Sequence, residues 1–160
     1  MIRPATAADT PTIAALIRAL AEYERLSHAV FLDEGQLRTH LFGPRPFAEV
    51  LLAEEAKEIV GFALFFHNFS TFLGQPGIYL EDLFVRPEYR GRGHGKALLS
   101  ALARLAVERG CRRLDWAVLD WNEPSLRFYR SLGAVPLEDW TLYRLSGDAL
   151  QTMAQSPTPA

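Results

Sequence analysis

Three features of this chain predict one mixed β-sheet covered by helices, an α/β (α+β) fold of about six to seven strands. Strand patterns follow one another directly between residues 47 and 85, strands and amphipathic helices alternate beyond them, and no repeat or linker divides the 160 residues. The length suits one ordinary domain, and 49% hydrophobic with 22% charged residues is a globular balance. The expected domain covers residues 1–154, with 155–160 as a disordered tail.

The first helix starts at Asp9 or Thr10, where Pro11 already has the φ of a first helical turn and gives up no useful hydrogen bond. Ile13, Leu16, Ile17 and Leu20 then recur at three-and-four spacing and form one apolar face. A second helix fits residues 33–42, with Leu37 and Leu41 one turn apart and Gly43-Pro44 as its stop. Residues 47–53 and 58–66 read as a hairpin about the charged turn 54–57. An aromatic loop over 68–77 leads to a strand over 78–85, ended by Arg86-Pro87. A glycine-rich turn follows, then a helix over 96–109 whose Leu98, Ala101, Leu102 and Leu105 make a stripe closed by Gly110. Residues 113–119 read as a strand, and Asn122-Glu123-Pro124 opens a helix that stops at Gly133. Weaker strand patterns near Val135 and over 140–145 complete the expected sheet.

Composition removes several functions. Lys plus Arg is 17 against 19 for Asp plus Glu, a net charge of −2 that offers no global field for nucleic acid. The longest apolar run, 59–66, is broken by Gly61 and far shorter than a membrane span, so no membrane partner is expected. One cysteine, Cys111, excludes an internal disulfide, and the polar stretch after Met1 is unlike a signal peptide. A cytoplasmic setting is expected. His28, His40, His67 and His94 show no ligand spacing with one another or with Cys111, so no metal is expected either.

The chemistry starts at Arg90-Gly91-Arg92-Gly93-His94-Gly95-Lys96, between a strand and a helix. Glycines there let backbone N–H groups turn to a ligand, and the helix start adds unpaired donors and about half a positive charge. Arg90, Arg92 and Lys96 add cationic side chains, so the turn is a cradle for phosphates. A Walker loop would need Gly at Arg90 and a hydroxyl at Ala97; a dinucleotide fingerprint would need a two-residue gap where Gly91, Gly93 and Gly95 have single ones.

Arg-x-x-Gly-x-Gly at a helix start, after Leu83-Phe84-Val85-Arg86-Pro87-Glu88-Tyr89, resembles the acetyl-CoA loop of the GCN5-related N-acetyltransferases. The likeness continues through Trp121-Asn122-Glu123-Pro124-Ser125, Phe128-Tyr129 and Leu132-Gly133-Ala134, and back to Ile2-Arg3-Pro4-Ala5-Thr6 as first strand and turn. Within that superfamily, Ile2 to Asp9, Tyr79-Leu80-Glu81-Asp82, and Ala117-Val118-Leu119-Asp120-Trp121-Asn122 followed by Tyr129 are most similar to the diamine acetyltransferases, the spermidine/spermine and thialysine group. The resemblance implies the fold of that superfamily, acetyl-CoA as cosubstrate, a small primary amine as acceptor, and a homodimer. It places Leu83, Phe84, Val85, Arg90, Gly91, Arg92, Gly93, His94, Gly95, Lys96, Asn122, Ser125 and Tyr129 on the cofactor, with a backbone N–H of 83–85 facing the oxyanion. It places Tyr23, Glu24, Glu81, Asp82 and Trp140 at the amine.

A lysine-like amine with pKa about 10.4 pays about 4.6 kcal/mol to be neutral at pH 7, so the reaction needs a base. Glu81 and Asp82 are adjacent in one strand and point to opposite faces, so one of them faces a given cleft. Glu81 matches the family's water-mediated base, and Tyr129 the acid for the leaving thiolate, whose pKa lies near that of a phenol. Where polyamine-specific members carry an acid and a tryptophan, this chain has Ser70 and Phe72, which favours a shorter amine of thialysine or lysine type over a long polyamine. Two other functions remain open at this point, acetylation of a protein or peptide amine and a non-catalytic acyl-CoA-binding regulatory module.

Overall fold

A computed structural model describes residues 1–156; the end of the expected tail, 157–160, lies outside the described residues. The chain forms two compact units, Met1–Ala117 and Val118–Ala160.

The first unit is built on a five-stranded sheet in the order β1 (Ile2–Pro4), β2 (Glu49–Glu55), β3 (Glu58–Ser70), β4 (Gln75–Val85), β5 (Leu114–Trp116). The first three pairings are antiparallel, and β4 with β5 is parallel. A parallel pair needs a crossover, which α3 (His94–Glu108) supplies. Val50, Leu51, Leu52 and Ala53 are buried in succession because both faces of β2 are covered. On one face, Ile13, Leu16 and Leu20 of α1 (Thr10–Tyr23) and Leu41 of α2 (Glu34–Phe42) pack on Val50, Leu52, Phe62 and Phe84. Leu98, Leu99, Leu102 and Ala106 form the buried stripe of α3. Each such leucine or phenylalanine contributes about 1.5–3 kcal/mol relative to exposure.

The start of α1 falls where Pro11 predicts it, but Asp9 does not cap the helix with its side chain. Its carboxylate takes two bonds of 2.9 Å from the Arg3 guanidinium and one of 2.7 Å from the Thr6 N–H, pinning β1 to the helix. Arg3 holds the Asp9 carboxyl well below the usual carboxylate range.

Several boundaries differ from expectation. The supposed aromatic loop 68–77 is mostly strand, since β3 runs to Ser70 and β4 begins at Gln75; Phe69 pairs with Pro76 and Asn68 with Gly77. The strand expected over 113–119 is only Leu114–Trp116.

In the second unit, α4 (Glu123–Ser131) begins as Pro124 predicts, and the Asn122 side chain accepts a bond from the Ser125 N–H. No strand forms near Val135 or over 140–145, so among the described residues the sheet has five strands rather than six or seven. A β pattern becomes a strand only when a neighbouring backbone pairs with it, and Val135, Leu137, Trp140, Leu142, Tyr143 and Leu145 are instead exposed. The helix α5 (Gly147–Ala154) was not foreseen. Leu150 and Met153, one turn apart behind Asp148 in the first turn, are the signal for it.

Candidate active site

The geometry of β4 sets the candidate site. Leu64 faces Asp82 but Phe65 faces Leu80, so Glu81 is an extra residue and the strand carries a bulge there. Bulges re-aim side chains, and the strict alternation expected of Glu81 and Asp82 does not apply at this pair. The ladder with β5 runs from Ile78↔Leu114 to Leu80↔Trp116 and ends just before the bulge. From Glu81 to Val85, the N–H groups that point away from β3 therefore carry no β5 ladder bond, and Leu83, Phe84 and Val85 lie on this stretch.

Glu81 is exposed, whereas Asp82 is half-buried. Burial pushes the Asp82 carboxyl up to about 6, and the charges of Glu81 and Glu24 add to the rise. Burial also raises Glu24, which follows α1. Three carboxylates thus share one field, in which a bound ammonium would relieve mutual repulsion. Tyr23, beside Glu24, is covered by Arg90: the guanidinium carbon lies 4.3 Å from the tyrosine ring centre and 5.6 Å from that of Phe84. Arg90 Nε also donates to the Val85 carbonyl at 3.0 Å, so one side chain joins the glycine loop, the end of β4 and the tyrosine. Ser70 is buried and its Oγ accepts the Leu73 N–H at 3.3 Å, while Phe72 is 99% exposed.

The loop fits a phosphate-bearing ligand by its backbone. Gly91 and Gly93 have φ of 74° and 87°, and a Cβ on either would meet nothing within 4 Å. Gly93 is the N-cap of α3 and brings no side chain to the first amides of the helix, which stay available to an anion. The flanking cations divide their work: Arg90 stacks on Tyr23, and Arg92 is bound to Glu55 at 2.7 Å. Arg92 was expected on the cofactor; its guanidinium here turns to the β2–β3 hairpin. Nothing near residues 90–96 signals this, because Glu55 is 37 positions away.

In the second unit, Tyr129 and Ser125 are half-buried on α4, and Asn122 is buried as its cap. The Tyr129 carbonyl receives the N–H groups of Leu132 and Ala134 at 3.0 and 3.2 Å, which fixes the backbone where the helix ends. Its ring lies 5.5 Å from that of Phe128. Trp140 is 78% exposed in an irregular stretch.

A bulged strand, a ladder ending beside it and an anion-binding loop at a helix start lie together along the end of β4 and the start of α3. Residues 13–134 match the model of the acetyltransferase (GNAT) family, and the chain belongs to that family, whose acetyltransferases use acetyl-CoA as cosubstrate. Among characterised relatives, it is similar to the thialysine N-epsilon-acetyltransferase of Bos taurus, 41% identical with 96% of each chain covered. It is also similar to the L-ornithine N5-acetyltransferase of Arabidopsis thaliana, 35% identical over 95% of this chain and 86% of that one. Among solved structures, an integron cassette protein from the mobile metagenome of V. cholerae superimposes with a TM-score of 0.83 at 28% identity, covering 98% of each chain. The protein is an acetyltransferase. No helix among the described residues is long and apolar enough to cross a membrane.

Proposed function

We propose that the protein transfers the acetyl group of acetyl-CoA to the side-chain amine of a small, lysine-like amino acid such as thialysine or ornithine, by direct attack. The observation that carries this reading is the field of Glu24, Glu81 and Asp82, in which burial and the neighbouring charges push the half-buried Asp82 carboxyl up to about 6. Asp82, Glu24 and Tyr23 hold the ammonium, and Trp140 keeps the role at the amine that the sequence suggests. Glu81, exposed on the bulge, takes the proton through water. Tyr129 holds the proton that the departing sulfur needs.

Gly91 to Lys96 and the unladdered amides of 83–85 would hold the cofactor, with Arg90, Asn122 and Ser125; the cofactor supplies the activated acetyl thioester. Ser70, turned to its own hairpin, offers no carboxylate for the distant ammonium of a polyamine. The catalytic domain is read as one, over residues 1–154. The exposed apolar run Val135, Leu137, Trp140, Leu142, Tyr143 and Leu145 supports a homodimer, and the lone buried Cys111 suits the cytoplasm.

A panel of amines tests the reading. With acetyl-CoA present, thiol release is expected to be fastest with thialysine, ornithine or lysine, and slower with spermidine. Preference for a peptide amine would move the protein to another acceptor class, and no release with any amine would reduce it to a binding module.

A further inference from the structure

The glycine loop has few means of holding its own shape. Gly91 and Gly93 are in left-handed conformations, and the space a Cβ on either would enter is open, so no neighbour packs there. Besides the Arg90 contacts to Val85 and Tyr23, a set of polar contacts from the tip of the β2–β3 hairpin restrains the loop. Glu55 accepts from Arg92 Nη1 at 2.7 Å through one oxygen and from His94 Nε2 at 2.5 Å through the other. Arg92 Nη2 also donates to the Glu88 carbonyl at 3.2 Å, and its guanidinium carbon lies 5.1 Å from the Tyr89 ring centre. The Tyr89 hydroxyl in turn donates to Glu58 at 2.6 Å. Glu55 and Glu58 flank Ala56 and Lys57, both at positive φ, so one tight turn presents both carboxylates to the loop.

We infer that Glu55 is a positioning residue for the cofactor: it fixes Arg92 and His94 on the two sides of Gly93 and so presets the amides that receive the phosphates. The inference rests on the acetyl-CoA reading of that loop. The His94 and Arg92 bonds hold the Glu55 carboxyl below the usual carboxylate range, so it stays ionised and acceptor-only at neutral pH. A carboxylate near an anion site opposes binding through space, whereas a preset loop lowers the ordering cost of binding. Here the ordering term wins. The Glu55 charge is already spent on Arg92 and His94, and the two glycines between which Arg92 sits have the most backbone freedom to lose.

Calorimetric titration of the full chain with acetyl-CoA, together with steady-state kinetics and melting curves, tests this. Glu55→Ala is expected to weaken acetyl-CoA binding and raise its KM by about five-fold, with kcat within about two-fold of wild type and the melting temperature unchanged. Glu55→Gln, which still accepts a hydrogen bond, should recover most of the affinity. Tyr89→Phe, which removes only the Glu58 contact, should weaken binding by about two-fold. Equal or tighter binding by Glu55→Ala, a Gln variant as weak as Ala, or a melting temperature that falls with the affinity would each overturn the inference. Wild type that binds no acetyl-CoA would instead overturn the reading of the loop itself.

Discussion

Tyr129→Phe is expected to lower kcat by about 10²–10³-fold while acetyl-CoA still binds as in wild type, because positioned proton donors contribute rates of that order. A phenol and a thiol have similar proton affinities, so a tyrosine can protonate a departing thiolate at little cost. The backbone that carries the ring is well held. Asn122 caps α4, Pro124 stands in its first turn, and the Tyr129 carbonyl closes the helix by accepting from Leu132 and Ala134. Phenylalanine keeps the ring and removes only the hydroxyl, so cofactor affinity by calorimetry and turnover by thiol release separate the two effects. A variant that turns over like wild type would remove Tyr129 from the chemistry.

Asp82→Asn is the second large effect, and it acts on activity and stability in opposite directions. In wild type, kcat/KM for the amine should fall as pH drops through about 6, where burial and the charges of Glu81 and Glu24 place the Asp82 titration. Asparagine removes the charge that holds the ammonium and should raise the amine KM by about ten-fold or more, the scale of a charged hydrogen bond. Stability follows the raised pKa. Between the ordinary value of 3.8 and about 6, the folded chain binds more protons at Asp82 than the unfolded chain does. Stability therefore falls as pH rises across that window, and the full cost of the ionised carboxylate is present above it. The Asn variant is expected to be more stable than wild type at pH 7.5, by on the order of 2 kcal/mol, and no more stable below pH 4. Denaturant melts at the two pH values check the sign. If the variant instead loses kcat with KM unchanged, Asp82 rather than Glu81 is the base.

What could be read along the chain was punctuation and period. Pro11 and Pro124 mark the helix starts, and the glycine-rich turn lies between a strand and a helix as its flanks predict. These signals are local, set by φ and by the missing N–H of proline or Cβ of glycine. The features that shape the site are not local. The bulge at Glu81 exists only in the register of β4 against β3, so alternation along one strand could not reveal it. The raised pKa of Asp82 comes first from burial and then from the charges of Glu81 and Glu24, and Glu24 lies beyond the end of α1. The bond from Arg92 to Glu55 could not be read from the turn, because the carboxylate comes from the end of another strand. Trp140, Leu142 and Leu145 have a β pattern, yet a pattern states what a strand would bury and says nothing of whether a backbone waits beside it.

The most direct measurement of the acceptor is the site of the new amide. Incubation with acetyl-CoA and thialysine, followed by fragmentation mass spectrometry, should place one acetyl group on the side-chain amine and none on the α-amine, with one free CoA thiol per product. Acetyl on the α-amine, or CoA release with no acetylated amino acid formed, would contradict it.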